Sequence, residues 1–111
     1  LVNCSDDGWE QTAFYYDAEE KRLVCDATAS SLDFGRTNIE YGPFELKKDE
    51  SLILHVFVDR SIVEVYANDR QAIARRIYPT LGGTGVKLFA RGGDVNVQSV
   101  KCWDLMPSNP Y

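Results

Sequence analysis

The feature that most limits this chain is the shortness of its apolar runs. None carries the 3.6-residue periodicity of an amphipathic helix, and short stretches rich in Val, Ile, Thr and aromatics are separated by turn-forming residues. "EQTAFYYD" (10–17) and "RLVCDAT" (22–28) flank the polar turn "AEEK" and read as a hairpin. After the charged turn "KKDE", the run "SLILHVFVD" sets Leu52, Leu54, Val56 and Val58 on one face. "SIVEVYA" follows an Asp59–Arg60 corner, "NDR" turns the chain again, and "QAIARRIYP" makes a further strand ending at Pro79. "VKLFAR" and "VNVQSVKCWDL" close the series with "GGD" between them. The stretch "SSLDFGRTNIEYGPFEL" (30–46) reads as irregular, broken by Gly35, Gly42 and Pro43. "SDDG" reads as a turn, "TLGGTG" as a loop, and the tail "MPSNPY" as surface chain. About seven or eight strands, with turns at intervals of roughly 8 to 12 residues, predict an all-β antiparallel sandwich or barrel.

Length and charge narrow the partners. A chain of 111 residues suits one domain with one core. Its net charge of −5 argues against a nucleic-acid or anionic-membrane partner, which would need clustered Lys and Arg. Arg70, Arg75 and Arg76 are the only dense basic spot, too small for such a footprint. A neutral partner such as a sugar suits an acidic surface at least as well. No run approaches the roughly 18 apolar residues of a membrane helix. The opening "LVNCS" lies in an apolar, strand-like stretch, and the expectation is a piece of a longer polypeptide.

Cys4, Cys25 and Cys102 have no zinc-knuckle or CxxC spacing, so buried free thiols are expected, and one disulfide only if geometry permits. Asn3 in "NCS" is formally a glycosylation sequon. "GGTG" (82–85) lacks phosphate-loop spacing and the acidic residues lack calcium-loop spacing, so no cofactor or metal is expected.

Asp59 and Glu64 are the sharpest catalytic candidates, because glycosidases work with paired carboxyls about 5 to 9.5 Å apart. The structural alternative is stronger. Asp59 at a strand end can accept turn N–H bonds, Arg60 can pair with a carboxylate, and Glu64 shares a strand face with Ile62 and Tyr66, exposed, paired or in an interface. His55, the only histidine, lacks a Ser-His-Asp or Cys-His setting and reads as structural or surface. Trp9, Tyr15, Tyr16, Tyr41, Tyr66, Tyr78 and Trp103 can supply a sugar-stacking platform, though core packing is the default for most of them.

"LHVFVDRSIVEVYANDRQAIARRIYPT", taken with "CSDDGWEQTAFYYD", "SSLDFG" and "GVKLFARGG", resembles the C-terminal β-sandwich of glycoside hydrolase family 32. That family holds invertases, levanases, inulinases and related β-fructofuranosidases. The hallmark is "VDRSxxEVY-x-N" with a following "RIYP", and the likeness runs along essentially the whole chain. It implies a jelly-roll or lectin-like sandwich, residues 1–111, as the C-terminal part of a two-domain enzyme, with the sandwich's opening strands absent. An N-terminal five-bladed β-propeller would carry the Asp nucleophile, the Glu acid/base and the transition-state Asp, in "WMNDPNG"-like, "EC"-like and "RDP"-like motifs. None of these motifs occurs in this sequence. The resemblance therefore implies no catalytic residue and assigns no carbohydrate-binding residue. It makes Asp59, Arg60, Ser61, Glu64 and Asn68 a structural or interface motif. The implied partners are the parent's catalytic propeller, fructan or sucrose, and a second chain through exposed strand edges. The expected setting is extracellular or periplasmic. The alternative is an independent fructan-binding module.

Overall fold

The computed structural model describes residues 1–4, 9–31, 38–77 and 85–104, with the side chains of residues 2–4 outside that description. The described residues form eight strands: β1 (Val2–Cys4), β2 (Gln11–Asp17), β3 (Arg22–Ala29), β4 (Ile39–Pro43), β5 (Leu54–Asp59), β6 (Ile62–Ala67), β7 (Gln71–Arg76) and β8 (Gly85–Lys87). They form two sheets, one ordered β4-β3-β2-β1-β8 and one ordered β5-β6-β7, with every pairing antiparallel. The fold is an antiparallel β-sandwich.

Turn chemistry sets the hairpins. Asp17 Oδ1 accepts the backbone N–H groups of Glu19 and Glu20, each at 3.1 Å, and Lys21 at φ 53° closes the loop into β3. Asp59 pairs with Ile62, leaving Arg60 and Ser61 as a two-residue turn. Arg60 sits at φ 53°, as the first central residue of a primed hairpin turn requires. Between β6 and β7, Arg70 N–H donates to the Ala67 carbonyl at 3.0 Å, with Asn68 at φ 49° and Asp69 at φ 54°. Two consecutive positive φ values are the type I′ pattern, which Asn and Asp tolerate best after Gly.

The core lies between the facing sheets. Phe14, Leu23, Cys25 and Phe44 meet Val63, Val65, Ala67, Ile73 and Ile77, all buried. Each large apolar side chain there contributes about 1.5–3 kcal/mol. Tyr16 packs edge-on against Phe44, with centroids 5.5 Å apart. Arg75 shares the inner face of β7 with Ile73, is 6% exposed, and forms an ion pair with Glu40 of β4, tying the two sheets together. Burial pushes the Cys25 thiol up to about 11, against the opposing charge of Arg75.

Several sequence expectations are corrected. The stretch 30–46 contains β4, where Pro43 is tolerated because β4 is an edge strand with a free side. A Cβ at Gly42 would lie 2.7 Å from Nε2 at the flexible end of the Gln71 side chain, which can swing aside. The strand through Leu52 begins only at Leu54. "VKLFAR" is strand only through Lys87, and residues 95–104 form no strand. Alternation makes a segment competent to be a strand, but a strand also needs a neighbour to bond. Cys102 is exposed, unlike Cys25, because its segment stands outside the core. Trp9, Tyr41, Tyr66 and Trp103 are exposed, and the buried aromatics among the described residues are Phe14 and Phe44. Tyr and Trp keep a polar end that water satisfies at the surface, whereas a phenyl ring has none to satisfy. The expectations for "SDDG", Tyr78, "TLGG" and "MPSNPY", and the Asn3 side chain, fall outside the described residues.

Candidate functional site

The residues singled out from the sequence gather on the outer face of the three-stranded sheet and on its turns. The hairpin register fixes the rows: His55 opposite Tyr66, Phe57 opposite Glu64, and Asp59 opposite Ile62. The odd-numbered residues of β5 face outward because Leu54 and Val56 pack inward. His55, Phe57, Glu64, Tyr66 and Asp69 line an open concavity of about 400 Å³. Phe57 and Tyr66 meet edge to face, with centroids 5.9 Å apart. The Tyr66 hydroxyl donates to Glu64 Oε2 at 3.3 Å, and the Glu64 charge raises the Tyr66 pKa. His55 Nδ1 lies 3.9 Å from Asp69 Oδ1.

Asp59 and Glu64 share this face as diagonal neighbours, a relation that places backbone positions roughly 7–8 Å apart. Asp59 is exposed and Glu64 partly exposed. A carboxyl that works as a general acid needs burial or a neighbouring charge to hold its proton, and the outer face supplies no burial. Among the described residues, Asp59 and Arg60 make no side-chain hydrogen bond or ion pair. The Ser61 carbonyl accepts the Ile77 N–H at 2.8 Å, extending the β6–β7 ladder.

Asn68 does the most local work. Its Nδ2 donates to the Ser51 carbonyl at 2.9 Å and to Glu50 Oε2 at 3.2 Å, while its Oδ1 accepts Ile53 N–H at 2.7 Å. Glu50 in turn holds Arg70 through both carboxylate oxygens, and Arg70 Nη2 donates to the Glu45 carbonyl at 2.8 Å. Arg70 also lies over the Phe44 ring at 4.9 Å. The Arg70 hydrogen bond, with help from Lys47 N–H and Asn68, lowers the Glu50 pKa to about 2. This network clips the 45–53 loop onto the β6–β7 turn.

Sequence reasoning missed Glu50, Arg70 and Phe57. Phe57 carried a usable signal, an aromatic on the polar-facing parity of its strand. Glu50 and Arg70 are far apart in the chain, and only the packing of two turns joins them. Among the described residues, no three His, Cys, Asp or Glu side chains converge to hold a metal ion.

The fold and this open, solvated face define a β-sandwich module whose described residues hold no enclosed cluster of acid and base groups. The family model described as glycosyl hydrolases family 32 C terminal matches residues 1–104, and the chain belongs to that family. It is similar to a sucrose-6-phosphate hydrolase of Zymomonas mobilis, 29% identical over 97% of this chain and 21% of that protein. A β-fructofuranosidase (insoluble isoenzyme 4) of Oryza sativa is 32% identical over 95% of this chain and 20% of that protein. The crystal structure of an exo-inulinase from Aspergillus awamori aligns with a TM-score of 0.63 and 27% identity, over 71% of this chain and 16% of that one. The chain thus spans about a fifth of the length of the curated relatives it matches.

Proposed function

We propose that this chain is the non-catalytic C-terminal sandwich of an enzyme that cleaves terminal β-fructofuranosides, in sucrose, levan or inulin. The observation that carries the reading is the family match along residues 1–104. The relatives named as a sucrose-6-phosphate hydrolase and a β-fructofuranosidase extend well beyond the aligned region. The resemblance puts the reacting carboxyls in a separate propeller. On this reading Asp59, Arg60, Ser61, Glu64 and Asn68 shape the β5–β6–β7 turns and the surface presented to that propeller, and take no part in bond cleavage.

The test is a fructose-release assay on the pure chain with sucrose, levan and inulin. No hydrolysis is expected, and release above a buffer control overturns the reading. Sequencing the coding region upstream of Leu1 supplies the second arm. A propeller with paired Asp and Glu motifs is expected there, and an unrelated upstream unit would count against the assignment.

A further inference from the structure

Every residue from 86 to 104 is exposed, although the composition is not that of a solvated tail. Val95 is 68% exposed, Val97 53%, Val100 63% and Trp103 75%. In an extended chain Val95, Val97 and Trp103 share one face, the pattern of a strand that lays one side on an apolar surface. Yet residues 94–104 form no ladder with any described residue. Meanwhile, among the described residues, β8 pairs only with β1 and ends its sheet, and none of them bonds the backbone groups on its outer side.

We propose that a second copy of this chain covers this surface, each copy adding its 94–104 segment as a strand to the free edge of β8 in the other. Donor strand and acceptor edge lie on the same chain, so one two-fold axis satisfies both at once. The charges agree. The donor residues 94–104 carry Asp94 and Asp104 against Lys101, a net −1, and residues 85–93, which include β8, carry Lys87 and Arg91, a net +2. An acid-leaning strand thus meets a basic edge in the partner copy. The extent agrees as well. Specific interfaces use roughly 20–30 residues a side, and the exposed stretch 86–104 supplies nearly that number by itself. The inference stands on the fold and is independent of the proposed function.

Light scattering on the 111-residue chain across the micromolar range tests it, with amide hydrogen exchange on the same samples. The expected result is a species of twice the chain mass, with the 94–104 amides protected. Val97→Pro removes a ladder N–H, and Val95→Lys places a charge on the buried face. Both sites are exposed within one chain, so the circular dichroism of the sandwich is expected to stay unchanged. Each variant is expected to raise the dimer dissociation constant roughly tenfold or more. A chain that stays monomeric throughout overturns the proposal, as it would if another protein or a further unit of a longer polypeptide were the occupant. A dimer indifferent to both variants overturns it too, and so does a polydisperse aggregate.

Discussion

Asn68 and Ile53 bond twice: the Asn68 backbone N–H donates to the Ile53 carbonyl at 2.9 Å, and the Ile53 N–H donates to Asn68 Oδ1 at 2.7 Å. The side chain thereby substitutes for a strand carbonyl and carries the β5–β6 ladder one step past the Leu54–Ala67 pair. Asn68→Ala removes that acceptor and two donors, and forces Ala into φ 49°. A loss of about 1–3 kcal/mol is expected in urea unfolding. Asn68→Gly keeps the backbone freedom but not the bonds, and is expected to lose less. Equal losses would show that the side-chain bonds account for the whole effect.

The inter-sheet ion pair is asymmetric. The Arg75 side chain is 5% exposed and that of Glu40 is 44% exposed. Removing the carboxylate charge takes an ion partner from a buried cation, whereas removing the cation leaves a carboxylate that water reaches. Glu40→Gln is therefore expected to cost about 1–3 kcal/mol, and Arg75→Met less, because a Met fills the apolar part of the site. Chemical denaturation of both variants and of the double variant checks this. A larger loss for Arg75→Met than for Glu40→Gln would contradict it.

Acid should weaken the loop clip. The Glu50 pKa in the fold is held at about 2 by Arg70, below its ordinary value of 4.5. A depressed carboxylate stabilises the fold above its unfolded pKa, and that stabilisation disappears as pH falls through the folded pKa. The melting difference between wild type and Glu50→Gln is thus expected to be constant above about pH 5 and to shrink between about pH 4.5 and 2. Thermal melts across that range decide it, and a difference that grows on acidification would reverse the sign of the argument.

The two described thiols should differ in reactivity. Burial pushes the Cys25 thiol to about 11, whereas Cys102 is exposed. At mildly alkaline pH a maleimide is expected to label Cys102 in the native protein and Cys25 only after denaturation. Peptide mass mapping reads each site separately. Native labelling of Cys25 at the Cys102 rate would show that the sheets part readily.

The concavity around Phe57 and Tyr66 should bind sugar weakly if at all. It is open, and the Glu64 carboxylate is already bonded to the Tyr66 hydroxyl. Titration with levan and inulin oligosaccharides is expected to give no saturable heat at millimolar ligand. Saturable heat that Phe57→Ala abolishes would favour the independent binding module instead.

The sequence by itself determined the class of fold. Period-2 alternation in 10–17, 22–28 and 54–67, punctuated by turns at Ala18–Lys21, Arg60–Ser61 and Asn68–Arg70, admits antiparallel sheet and little else. That information is local, because side-chain parity and turn φ values are properties of a few adjacent residues. It also carried the family hallmark from Val58 to Asn68. Tertiary structure decided what depends on distant partners. β4 was illegible because its Gly42 and Pro43 look like breakers until the sheet order shows the strand lying at an edge. The Glu50–Arg70 and Glu40–Arg75 pairs join residues that no spacing connects. Residues 95–104 show the same limit from the other side: their alternation writes a strand, but a ladder needs a neighbour, and only the three-dimensional arrangement reveals that the described residues offer them none.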